Sequence, residues 1–216
     1  MEFFIEIFPI IMEGVWVTIK VSTAGALIAL AVAIVAGAAR ASGSRILRTF
    51  AGIYVEIFRG TSALVQMFWI YFVLPLPPFN LSLTAFQAGA LALGLNVGAY
   101  MAEVVRGGIN AVDKGQIEAS IALNMSPMLR LRRVILPQAL VRILPPVGNL
   151  LIDLLKLSAL VSLITLADMT FHAFKLRPRH FSKTPQIFTM LLLLYFILTR
   201  PITWGIRWFE KKRQWA

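Results

Sequence analysis

The sequence contains no cysteine, which excludes disulfides and thiolate metal sites. Its two histidines, His172 and His180, have no carboxylate or cysteine at ligand spacing, so no metal site is expected. A glycine-rich phosphate loop is also missing, because Gly107 and Gly108 are not followed by the Lys-Ser/Thr that would complete one. No catalytic residue and no bound cofactor are therefore assigned to this chain. No linker or low-complexity stretch marks a second domain, so residues 1–216 read as a single transmembrane domain. No internal repeat is visible, which argues against a transporter built from inverted halves. The N-terminus carries Glu2 and Glu6 where a cleavable signal needs basic residues, so the first apolar segment is expected to be retained.

What the chain has in abundance is apolar residues, 58% of 216, with a mean hydropathy of +0.78. A membrane helix needs about 20 predominantly apolar residues. Uncharged or nearly uncharged runs cover residues 21–39, 60–102, 143–167 and 184–206, the last interrupted by Arg200 and Pro201. The second is too long for one crossing and is divided at Pro75, Pro77 and Pro78, so about five spans are expected in an all-α membrane protein. The net charge of +11 would suggest nucleic acid in a soluble protein; on so apolar a chain it reads through the positive-inside rule, with the lipid bilayer as partner and no nucleic acid. Arg40, Arg45, Arg48 and Arg59 follow the first span. Arg106, Lys114, Arg130, Arg132, Arg133 and Arg142 follow the third, and Arg207, Lys211, Lys212 and Arg213 end the chain. Only the basic loop 172–183 dissents, so the N-terminus is expected outside and the C-terminus inside.

Between Lys114 and Pro137 lies a polar, basic insert that would face the cytoplasm. Residues 116–123 and 128–134 each have helical spacing, with Asn124 between them as a residue that readily adopts the left-handed conformation ending a helix. Ser126 and Pro127 fit an N-cap and first helical position. Ala119, Ala122 and Leu123 offer a small apolar knob among the charges of Glu118, Arg130, Arg132 and Arg133, a shape suited to a groove on a soluble partner. An ordinary solvated loop is the plain alternative. Residues 46–58 read as a helix with mixed faces at the same interface. Gly94 and Gly98 have the spacing that lets a neighbouring helix approach closely.

Polar residues within spans are costly and tend to face a cavity or one another. Three clusters qualify: Glu56, Arg59, Thr61 and Gln66 leading into the second span; Asn96, Tyr100 and Glu103 on one face of the third; and Asp153, Lys156 and Ser158 in the fourth, where Asp153 and Lys156 can pair. Together they could hold a zwitterionic solute between a cation, an anion and aromatic walls. Helix-to-helix glue and interfacial anchoring is the alternative. The tentative solute pathway comprises Arg59, Thr61, Gln66, Asn96, Tyr100, Glu103, Lys156 and Ser158.

The insert resembles the cytoplasmic coupling loop of binding-protein-dependent ABC importer permeases, which opens on Glu-Ala-Ala, continues through a Gly and closes on an apolar residue and Pro. Glu118, Ala119 and Ser120 stand at its opening, Asn124 in the glycine slot, and Leu136 and Pro137 at its close, in a loop spanning about 106–137. Glu56-Ile-Phe-Arg-Gly-Thr-Ser-Ala-Leu-Val-Gln66, Ala99-Tyr-Met-Ala-Glu103 and Leu144-Pro-Pro-Val-Gly-Asn149 are similar to the polar amino acid permeases of histidine, glutamine and arginine uptake. The resemblance implies a type I importer permease fold in a bacterial inner membrane. It implies a second permease copy or sister permease, two cytoplasmic ABC ATPase subunits holding ATP and Mg, and a periplasmic solute-binding protein. Where that family shows Leu-Leu-Lys-Asp-Thr-Ser, this chain has Leu154-Leu-Lys156-Leu157-Ser158-Ala159, without the acid. The run from Leu157 to Phe171, with Arg59-Gly-Thr-Ser-Ala-Leu-Val-Gln-Met-Phe-Trp69, is most similar to the ectoine/hydroxyectoine branch, so ectoine is the expected solute, with arginine, histidine or glutamine as the alternative. A stand-alone channel or assembly factor would have no use for the insert.

Overall fold

A computed structural model describes residues 2–213; Met1 and residues 214–216, at the two ends whose charges entered the orientation argument, lie outside the described residues. Helix α1 (Glu2–Ala41) is longer than the expected first span and, at 1.5 Å per residue, about 60 Å long. Helix α2 (Arg45–Gly60) starts at Ser44, whose hydroxyl accepts from the Leu47 amide, and buries only Val55 among its residues. The chain then turns extended at Thr61 and Ser62 before α3 (Ala63–Phe68), which continues as a wider π-helical turn, Trp69–Val73. Among the described residues four helices are long and apolar enough to cross a membrane: Phe3–Ala41, Ala85–Asn110, Pro127–Ile164 and Phe181–Lys211. The expected second span differs. Its apolar helix is only Ala63–Val73, about 16 Å at helical rise and half of a hydrocarbon core of about 30 Å. The extended residues at 61–62 cut it off from α2, so this pass along the bundle is made by two pieces.

Helix α4 (Ala85–Asn110) opens with a capping box between Thr84 and Gln87. It runs parallel to α1 and close to it. A Cβ on Gly94 would lie 2.6 Å from the Ile28 Cβ, and one on Gly98 would lie 3.2 Å from the Ala29 Cα. At Gly94 a Cβ would force the helices apart and at Gly98 it would be tight, as the small-residue spacing suggests.

The insert forms α5 (Lys114–Ala122), capped by Asp113, then a left-handed turn at Asn124 (φ 56°) and α6 (Pro127–Arg130) under a Ser126 cap. The second insert helix is not free-standing as the sequence suggests. From α6 the backbone stays helical through a π-helical turn, Leu131–Ile135, into α7 (Leu136–Leu157) and a 3-10 segment, Ser158–Ile164. Pro137 supplies the reason: its ring and missing N–H disturb a regular α-turn before it, and a widened turn relieves the clash. Asp168 caps α8 (Met169–Leu176), so much of the expected basic loop 172–183 is helical. A 3-10 turn at Phe181–Lys183 leads to α9 (Thr184–Arg213).

Contacts fix the directions. Gly108 lies under Ile143 and Gly25 near Leu154, so α7 runs against α4 and α1; Gly148 meets Ile206 on α9, whose Ile187 packs with Ile7 and Ile11. One end of the bundle therefore carries Phe3, edge-to-face with His180 at 5.2 Å and with the Lys183 ammonium 4.3 Å above its ring. The other carries Arg40, Glu103, Arg106 and the insert.

Candidate functional site

The insert is anchored from beneath. Val112 is buried in the main core and Ile117 packs against it. Ser120 is 3% exposed and donates its hydroxyl to the Ile117 carbonyl at 2.6 Å. Glu118, Ala119, Asn124, Leu136 and Pro137 face outward, and beside them Ile121, Leu123 and Met128 are more than half exposed. The small apolar knob is thus larger than the sequence suggested, and one motif residue, Ser120, serves the protein's own packing. Asp113, which sequence reasoning passed over, accepts from the Gly115 amide at 2.7 Å and sets the start of α5.

The second candidate lies where α2 breaks. The last carbonyls of a helix have no partner within it, and here those of Ile57, Phe58 and Arg59 find one. Thr61 Oγ1 donates to the Ile57 carbonyl (2.7 Å). Gln66 Nε2 donates to the Phe58 carbonyl (2.9 Å) and to Thr61 Oγ1 (2.6 Å). Asn96 Nδ2 donates to the same Phe58 carbonyl (3.0 Å) and to Gln66 Oε1 (3.1 Å). The Tyr100 hydroxyl donates to the Arg59 carbonyl (3.3 Å), and the Arg59 guanidinium sits 5.2 Å above the Tyr100 ring. Asn96 is 4% exposed. Thr61, Gln66 and Asn96 thus hold the break in shape, while Arg59 and Tyr100 border open space.

That space comprises two adjoining cavities of about 350 and 410 Å³ that share Arg59, Tyr100 and Glu103. The first also has Arg40 and Glu56 in its wall; the second has Pro146 and Asn149 of α7. Glu103 is held between Arg40 (2.8 Å) and Arg106, whose Nε donates to it at 2.8 Å. Arg40 is a site residue that sequence reasoning used only for orientation; it reaches Glu103 because the close α1–α4 seam brings the two helix ends together.

Along α7 the residues Pro146, Asn149, Asp153 and Lys156 fall on one face and are all exposed, while Val147, Leu154 and Leu155 between them are buried. Lys156 Nζ pairs with Asp153 Oδ1 at 3.3 Å, as the spacing suggested. Ser158 is not on this face. It is fully buried and donates to the Leu155 carbonyl at 2.7 Å. A larger void of about 630 Å³ between α7 and α9 is walled almost wholly by apolar side chains such as Leu144, Leu151, Ile202 and Phe209. Among the described residues no group of His, Asp and Glu could hold a metal ion.

Behind these sites, Asp168 joins three elements. Its carboxylate accepts from the Phe171 amide (2.9 Å) and the Tyr195 hydroxyl (3.3 Å), and the adjacent Met169 amide donates to Thr18 Oγ1 on α1.

The family described as "Binding-protein-dependent transport system inner membrane component" matches residues 29–215. The chain is 42% identical, over 92% of its length and 84% of the relative's, to a probable amino-acid ABC transporter permease protein, y4tF, of Sinorhizobium fredii. It is 34% identical to the glutamine transport system permease protein GlnP of Escherichia coli K12, covering 94% and 93%. A solved amino acid ABC transporter with histidines superposes with a TM-score of 0.87 at 34% identity over 96% of both chains. The MetNI methionine ABC transporter, in an inward-facing conformation, shares the fold at a TM-score of 0.74 and 19% identity, over 94% and 97%.

Proposed function

Because the chain belongs to the family of binding-protein-dependent transport system inner membrane components, we propose that it is the permease subunit of an ABC importer for a polar amino acid of the glutamine type. The protein is a multi-pass inner-membrane permease of the type I fold, and in this family the ATPase is a separate subunit. The observation that carries the mechanism is the insert: buried Val112 and Ser120 fasten α5 to the bundle while Glu118, Ile121, Leu123 and Met128 are presented outward. A rigid, outward-facing knob can transmit force from a soluble partner to α4 and α7, between which it is strung.

In this reading two cytoplasmic ATPases grip α5, a second permease copy or sister permease lines the other half of the path, and a periplasmic binding protein delivers the solute. The N-terminus is outside and the C-terminus inside. ATP-driven movement of the insert opens and closes the path alternately, along a wall formed by Arg59, Tyr100, Glu103, Asn149 and Lys156. The relatives favour an amino acid over ectoine; the ectoine reading rests on the stretches Arg59–Trp69 and Leu157–Phe171 and on the missing acid at Leu157. Competition between labelled glutamine and unlabelled glutamine, arginine, histidine or ectoine in cells carrying the system separates the two. Uptake of labelled ectoine by the same cells, with no carrier-dependent uptake of labelled glutamine, would reverse the assignment.

The mechanism is tested by Glu118→Lys, which places a cation where the knob carries its anion. Uptake is expected to be abolished while the external binding protein still captures solute. Full uptake in that variant would remove the insert from the mechanism.

A further inference from the structure

The Asp153–Lys156 pair occupies a costly place. Both side chains are more than half exposed, 57% and 60%. Both flank Leu154, which packs beside Gly25 near the middle of α1, so the pair lies at mid-depth of a helix long and apolar enough to span a membrane. A charged side chain facing hydrocarbon at that depth is costly. The face must therefore be turned to water or to protein. The same α7 face leads, through Asn149 and Pro146, directly into the cavity bordered by Arg59 and Tyr100. The pair is thus continuous with the polar cavities and stands at the end of a polar stripe farther from the insert.

We propose that Asp153 and Lys156 form a recognition element for a zwitterion, with Asp153 as a specificity-determining residue that receives the solute's ammonium group while Lys156 receives its carboxylate. The proposal rests on the amino-acid permease reading above. Each charge neutralises the other when the path is empty, so neither stands bare at mid-depth. When a zwitterion arrives, two opposite charges exchange partners and no net charge is added at mid-membrane, which keeps the cost of entry low. A cationic solute would leave Lys156 facing a like charge, so discrimination against net charge follows from the same pair.

The test uses the permease with its own ATPase and binding protein in proteoliposomes, measuring labelled glutamine uptake and ATP hydrolysis together. Asp153→Asn is expected to lower glutamine moved per ATP hydrolysed at least tenfold, with ATP hydrolysis still stimulated by the binding protein. Asp153→Glu keeps the carboxylate and is expected to restore most of that ratio. The double variant Asp153→Asn, Lys156→Gln removes both charges. Recognition predicts that it transports as poorly as the single variant, whereas a pair that only holds the helix surface predicts recovery. Recovery in the double variant, or a parallel fall of uptake and ATP hydrolysis in the single one, overturns the proposal. Wild-type vesicles that hydrolyse ATP but import no glutamine, arginine or histidine would instead overturn the amino-acid reading itself.

Discussion

Two polar regions at similar depth in the bundle are built on opposite plans. At the break between α2 and α3, the carbonyls of Ile57, Phe58 and Arg59 are each met by a side chain, and Asn96, the centre of the network, is almost wholly buried. On α7, Asp153 and Lys156 meet only each other among the described residues and stand more than half exposed. The first plan spends polar groups on closing a gap in the backbone. The second keeps charge available at a surface. In a membrane, where an unmet polar group has no water to turn to, satisfied and buried polarity marks architecture, and exposed polarity marks a face with something to bind.

Substitutions at the first region sharpen that contrast. Asn96→Leu removes two hydrogen bonds between helices and strands the Gln66 carbonyl oxygen. Hydrogen bonds of this kind average about 0.6 kcal/mol and reach about 1.7 in membrane bundles, so a loss of about 1–2 kcal/mol is expected. It should be read as a lower melting temperature in detergent, with uptake per folded molecule near wild type. A change of solute preference at unchanged melting temperature would break the comparison by moving Asn96 into the path. Tyr100→Phe removes one hydroxyl but keeps the ring under Arg59. A smaller loss of about 0.6 kcal/mol is expected, together with a modest rise in the KM for uptake, because Tyr100 belongs to both regions. Ser158→Ala is expected to change least. Its hydroxyl back-bonds to the Leu155 carbonyl inside the core and touches the Tyr195 hydroxyl, which keeps its partners Asp168 and Thr170, so uptake and melting temperature should both stay near wild type.

Much of the fold could be read from the chain because its signals are local. Gly94 and Gly98 announce the tight α1–α4 seam by spacing alone, and Asn124 takes the left-handed turn expected of it (φ 56°). The second span was harder. Its apolar composition is continuous across Gly60, Thr61 and Ser62, and nothing in hydropathy records that the backbone goes extended there. The candidate site was legible in residue types and less so in roles. Lys156 and Ser158 are two positions apart, one exposed and one fully buried, and only the packing of α7 separates them. Asp168 was invisible as a junction because its partners Tyr195 and Thr18 lie far away along the chain.

Hydropathy, charge asymmetry and turn chemistry are properties of neighbouring residues, and through them the chain by itself determined that this is a helical membrane protein with a polar insert at its basic end. The same features could not say which side of each helix is covered. That was decided in three dimensions, where residues from distant helices either satisfy a polar group, as Asn96 does for Phe58, or leave it open, as with Asp153 and Lys156. The free energy of a buried or exposed polar group depends on what surrounds it, and its surroundings exist only once the helices have packed.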